Sequence, residues 1–263
     1  TFCVPLSLLW TEASGVKRTS PDAFCVVLCL LWTEASGLKR TSPDAFCVVL
    51  CLLWTTRKAS IHVLWILAHH KYPEDSEEAP IIYGGYIING DKDKLKHNLR
   101  YIYERKYEKN HVAKQRMKKP YHDFHTSNFI VKRDIMLRFS FDERMKKYGY
   151  EDVLWGKTLK DNNIKIHHID NPLSFEKFEN NALFIAKTEE GIATLYDFRT
   201  ELREYSNLIS TTFLLEKCKL DKLICLVFNK IQHIVKNNLT GNKPCITLFY
   251  IYKIGCFCKL LNS

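Results

Sequence analysis

The sequence predicts an α/β fold running from about residue 80 to the C-terminus, a mixed sheet with long C-terminal helices around it. Three observations predict this. Apolar runs of strand length recur at 81–88, 129–131 and 164–169, separated by polar stretches. Helical spacing marks 153–159 and 181–198, and apolar residues at intervals of three and four run from Phe213 to Val235. The chain of 263 residues, 46% hydrophobic and 26% charged, is long enough for a sizeable core, and its composition excludes collagenous, fibrous and wholly disordered classes.

Residues 1–60 stand apart from the rest. Leu8-Leu9-Trp10 recurs as Leu30-Leu31-Trp32 and Leu52-Leu53-Trp54, a spacing of 22 residues twice over, and 11–29 differs from 33–51 only in Val16 against Leu38. Structural repeats diverge at surface positions and keep a core pattern, so near-identity points to recent duplication rather than to a solenoid. The same 60 residues contain no Ile, Asn, Tyr, Met, His or Gln, whereas the chain beyond 80 is rich in Lys, Asn, Ile and Tyr. This region is therefore expected to be foreign to the domain and poorly ordered, in a chain that is a fragment or a fusion. Its apolar runs, 23–32 and 45–54, hold ten residues each, short of the ~20 that span a bilayer. Residues 61–79 read as a linker ending in an acidic loop (Glu74, Asp75, Glu77, Glu78).

From Ile81 to Ile88 the pattern is one buried strand, with Gly84-Gly85 placed where another backbone or a ligand comes close. The charge follows directly. Residues 92–119 hold 11 Lys and Arg against 3 acids, so most of the net +10 lies there. Tyr101, Tyr103 and Tyr107 interleave the bases, which raises nucleic acid as a partner; no helix-turn-helix, zinc-finger or RNA-recognition signature accompanies them, and nucleic acid is set aside. A diphosphate or an anionic membrane surface would use the same lysines.

A strand at 129–131 leads into a short helix opened by Lys132-Arg133-Asp134. In Tyr148-Gly149-Tyr150-Glu151-Asp152, Gly149 permits a turn and the two carboxylates fall in the first turn of a helix, where the dipole favours anions. Helix capping alone explains such a pair in many proteins; catalysis is the second reading. Asp161-Asn162-Asn163 ends the helix, and Asn171-Pro172 turns the chain after the next strand. His167 and His168 are adjacent on that strand and point to opposite faces, so at most one joins a given metal site. The residues from 213 to 235 read as one long amphipathic helix with a basic face, Lys217, Lys219, Lys222, Lys230 and Lys236, to be packed on the domain or laid on a membrane. Five cysteines lie in the N-terminal stretch and five in the last 46 positions, without a Cys-x-x-Cys pair; they read as reduced, buried thiols.

Asn128-Phe129-Ile130, Phe141-Asp142-Glu143-Arg144, Gly149-Tyr150-Glu151-Asp152, Ile169-Asp170-Asn171-Pro172 and Lys187-Thr188-Glu189-Glu190-Gly191, taken in order, resemble a bacterial group of family 2 glycosyltransferases and the related galactosyltransferase C-terminal domain pattern. The resemblance runs from about Pro80 to the end. It implies a truncated GT-A-like fold, with residues 80–205 as the acceptor and catalytic-base half and 206–263 as a helical extension. It implies Asp152 as general base, Glu151 as a hydrogen-bonding partner of the acceptor, and Asn128, Tyr150, Gly149, Gly84 and Gly85 as substrate-binding positions. A divalent manganese or magnesium ion, a nucleotide sugar and a glycan acceptor are the cofactor and partners it implies; the expected place is the cytoplasm at the inner face of a bacterial membrane, with the basic residues, by their charge, as the peripheral membrane contact.

The family's nucleotide-binding loops and Asp-x-Asp metal motif should precede the Gly84-Gly85 strand, where the repeats stand instead. Asp91-Lys92-Asp93 matches Asp-x-Asp one strand late, and Phe175 stands where the family carries a histidine. Asp91, Asp93 and His168 remain as metal candidates. The expected function is inverting, metal-dependent hexosyl transfer to a glycan by a chain lacking its donor half; the alternative is a non-catalytic remnant that binds glycan or membrane.

Overall fold

A computed structural model describes residues 80–263 and the two-residue strand β1 (Phe46–Cys47). The expected disorder and foreign origin of residues 1–60 otherwise fall outside the described residues, as does the linker up to 79. The described part is a mixed α/β fold, with a four-stranded sheet of order β1, β4 (Phe129–Lys132), β2 (Ile81–Tyr83), β5 (Ile166–His168) and a two-stranded sheet of β3 (Tyr86–Ile88) and β6 (Leu173–Phe175).

The first corrected expectation is the single strand over 81–88. It is two strands, β2 (Ile81–Tyr83) and β3 (Tyr86–Ile88), in different sheets. The break lies at the glycine pair. Gly85 sits at φ +76, a left-handed value that ends an extended run and is open to glycine without steric cost. β2 is central, antiparallel to β4 (Phe129–Lys132) through Ile82↔Ile130 and parallel to β5 (Ile166–His168) through Ile82↔His167. A strand covered on both faces is apolar throughout, and Ile81, Ile82 and Tyr83 are all buried. β3 runs parallel to β6 (Leu173–Phe175), Tyr86 opposite Leu173.

The basic segment forms α1 (Lys92–Leu95), α2 (Leu99–Tyr107) and α3 (Ala113–Arg116). After β4 come α4 (Arg133–Arg138) and α5 (Glu151–Asp161), the latter ending at Asn163 in the left-handed region, as the Asp-Asn-Asn run predicts. One core gathers Ile81, Tyr83, Phe129 and Val131 of the sheet with Phe124, Trp155 and Leu159. Trp155 is satisfied there by the carbonyl of Phe139 at 2.6 Å, so the indole is buried with its N–H paired.

The C-terminal third is α6 (Asn181–Asp197), α7 (Asn207–Lys217), α8 (Asp221–Thr240) and α9 (Ile246–Leu261). The one long helix expected over 213–235 is thus two, the second corrected expectation. No glycine or proline marks the break; Lys219 takes the left-handed stop conformation, φ 57, which glycine usually fills. The buried Asp221 then opens α8, its carboxylate accepting from Asn262 at 3.1 Å. Gly255 of α9 lets the two last helices close on each other, since a Cβ there would stand 2.2 Å from the ring of Phe228. Residues 206–263 share their cores with the rest: Leu99 and Ile185 pack with Phe228 and Phe249, and Leu154 and Ile192 with Phe257. Among the described residues no helix is long and apolar enough to cross a membrane.

Candidate functional site

Asp152 is the second residue of α5, and the chain enters that helix through two consecutive left-handed residues, Gly149 (φ 99) and Tyr150 (φ 69). A tyrosine in that conformation is held there by its surroundings. Glu190 of α6 accepts from the Tyr148 N–H at 3.0 Å, and the Thr194 hydroxyl donates to the Tyr148 carbonyl at 3.0 Å. Gly149 meets Gly191 of α6 so closely that a Cβ on it would lie 3.2 Å from the Gly191 Cα. The helix start that carries Glu151 and Asp152 is thus clamped to α6.

Across from it, the segment entering β4 places Phe124 in the core and turns His125 outward. His125 Nδ1 and Asp152 Oδ2 are 2.9 Å apart, with the side chains 38% and 20% exposed. Burial works against a charged imidazole. The Asp152 hydrogen bond and charge, helped by Glu104 and Asp123, outweigh it and hold His125 above its ordinary value. Desolvation by the surrounding protein, followed by the charge of the neighbouring Asp152, raises the Glu151 carboxyl.

Beyond His125 lies a belt of paired charges that the sequence did not single out. Tyr86 of β3 packs its ring on His111 at 4.3 Å and edge-on to His125 at 5.5 Å, and donates to Glu104 of α2 at 3.3 Å. Arg100, one turn before Glu104, donates from Nη1 to both oxygens of Glu179, at 2.6 and 2.7 Å, and lies over the Phe175 ring at 4.8 Å. Burial lifts the Glu104 carboxyl, with Arg100 and His125 opposing it. The basic run is therefore not one solvated face: Arg100 turns inward and Arg116 is buried. Within the run, Glu104 at four residues from Arg100 was the available signal; nothing in spacing marked His125.

The predicted glycine pair meets backbone and side chain. A Cβ on Gly84 would lie 2.5 Å from the Asn128 amide nitrogen and 2.6 Å from the Asn171 carbonyl. Asn128, at φ 61 and buried, donates to the carbonyls of Gly85 and Asn171 at 2.7 and 2.8 Å, and accepts the Gly84 N–H on its own carbonyl at 2.9 Å. Its amide hydrogens join the two sheets. Gly85 faces Arg116, whose guanidinium donates to the carbonyls of His111 and Ile169 and to His168 Nδ1.

His168 is therefore engaged at both nitrogens, by Arg116 at 3.1 Å and by the Pro120 carbonyl at 3.0 Å. Burial, followed by the Arg116 charge, pushes it down to about 4. Asp91 caps α1, accepting from the Asp93 and Lys94 N–H groups and pairing with the Lys94 ammonium, and both aspartates are exposed. Among the described residues no group of three His, Cys, Asp or Glu side chains is placed to hold a metal ion.

The thiols need correcting too. Cys218, Cys225, Cys245, Cys256 and Cys258 are free as expected, yet Cys218 and Cys245 are exposed and only Cys258 is buried. Chemically, the site offers a hydrogen-bonded carboxylate at a rigid helix start and an imidazole beside it. Comparison with protein-family models, with curated proteins and with solved structures finds no match to this chain.

Proposed function

We propose that this site transfers a hexosyl group from a nucleotide sugar to a hydroxyl of a glycan acceptor with inversion, on a GT-A-like scaffold, with Asp152 as general base. The observation that carries the reading is the Asp152 carboxylate, partly exposed at a clamped helix start and hydrogen-bonded by His125 on one oxygen. The carboxylate takes the acceptor hydroxyl proton as that oxygen bonds to the anomeric carbon, and the bond from that carbon to the diphosphate oxygen breaks, releasing the nucleoside diphosphate. His125 orients the carboxylate. A base must lie within hydrogen-bond reach of the proton it removes, and rigid placement supplies much of the rate.

The test is release of nucleoside diphosphate from uridine- and guanosine-diphosphate sugars in the presence of oligosaccharide acceptors, with manganese or magnesium supplied and omitted. Turnover that falls by about two orders of magnitude or more in Asp152→Asn, with folding intact, supports the reading. Turnover unchanged by that substitution moves the base elsewhere; acceptor binding without turnover leaves a glycan-binding module.

A further inference from the structure

Helix α8 is apolar on two sides. Phe228, Val235 and Leu239 face the core, but Leu223 (56% exposed), Leu226 (64%), Val227 (50%) and Ile234 (70%) face outward. The outward residues fall in two adjacent rows. Lys222, Leu226, Lys230 and Ile234 follow one another at steps of four; Leu223, Val227 and Ile231 form the next row, bordering a shallow apolar groove that Ile251 of α9 closes. Such alternation of lysines with large aliphatics lets the lysine stems lie along apolar surface while their ammonium groups reach outward.

The charge around this face has one sign. From residue 206 to the end there are eight lysines against two acids. Of the acids, Asp221 is buried, so Glu216 is the one exposed carboxylate side chain among them. We propose that α8 lies in the surface of an anionic phospholipid bilayer, Leu223, Leu226, Val227 and Ile234 entering the acyl boundary and Lys219, Lys222 and Lys230 meeting the headgroup phosphates. A second copy of the chain is the poorer occupant, because a two-fold contact would set the lysine row against itself without acids to answer it. The inference stands apart from the glycosyl-transfer reading and uses none of its residues.

The experiment is co-sedimentation of the full chain with vesicles of phosphatidylcholine alone and of phosphatidylcholine mixed with phosphatidylglycerol. Binding to the anionic vesicles, weakened by salt, is expected. Leu226→Glu with Ile234→Glu should cut it at least about tenfold, and Lys222→Glu with Lys230→Glu comparably, at unchanged melting temperature. Both pairs are solvent-facing, so folding is preserved, and any contribution from the N-terminal apolar runs is the same in parent and variants. Equal binding by parent and variants overturns the proposal, as does equal binding to both vesicle types. A parent that forms a dimer in sedimentation equilibrium, dissociated by the leucine and isoleucine substitutions, also overturns it and assigns the face to self-association.

Discussion

His125 and Asp152 meet at 2.9 Å although one lies in the loop before β4 and the other at the start of α5. The pairing sets the charge of the imidazole, since burial alone would lower it. In a nuclear magnetic resonance titration His125 should therefore titrate above its ordinary 6.5, and in Asp152→Asn it should fall below the parent value. With a raised folded value, the pair's contribution to stability is complete below 6.5 and is lost as pH rises through the folded pKa. An identical titration in parent and variant would remove the pairing.

Two other histidines act in the opposite sense. His168 and His111 are both pushed down to about 4, chiefly by burial. The unfolded chain binds protons at these groups from 6.5 downward while the folded chain resists until about 4, so stability falls as pH drops through that window. For His168 the loss amounts to about 3 kcal/mol by the bottom of the window. Urea midpoints taken between neutral and acid pH should fall, and the slope should flatten in His168→Gln. Midpoints that rise on acidification would mean that His125 dominates.

Gly85→Ala should cost at least about 2 kcal/mol. The new methyl meets Arg116 Nη1 at 2.3 Å in a backbone that disfavours alanine, and the guanidinium is fixed by three partners and has no free direction. Gly149→Ala, whose nearest neighbour is the Gly191 Cα at 3.2 Å, should cost less. Thermal denaturation of the two variants checks the order; a Gly85→Ala as stable as the parent would show that Arg116 can be displaced freely.

Cys245 should be the first of the five C-terminal thiols to be alkylated. It is exposed at the start of α9, and the N–H groups of Leu248 and Thr247 hold its thiol below the usual cysteine range. Burial pushes Cys258 up to about 11, and Cys256 is raised to about 12. Reaction follows the thiolate fraction and access. Peptide mapping after brief iodoacetamide treatment reads the order, and prior labelling of Cys258 would contradict it.

Sequence pattern located the helices beginning at Glu151 and Asn181, the first because an apolar period follows the turn at Gly149 and the second because one follows the capping Asn180. It ran through the breaks at Gly84-Gly85 and at Lys219. The first depends on Asn128, far away in the chain, drawing two carbonyls together; the second uses a lysine where pattern rules look for glycine. The Glu151-Asp152 pair was legible as a helix start. His125, Glu104 and Arg116 were not, because a charged residue within a basic run or polar loop gives no sign of whether it turns inward until the partner element is placed.

The split of residues 81–88 between two sheets also bears on the order in which the molecule assembles. β2 finds its partners in β4 and β5, and β3 in β6, all dozens of residues downstream. α8 and α9 are by contrast sequence neighbours that close on Gly255. Contacts between distant segments carry the larger loop-closure cost and form more slowly. In pulsed hydrogen exchange during refolding, amides of 221–261 should gain protection before those of 81–88, so that the refolding chain owns a helical hairpin before it owns a sheet.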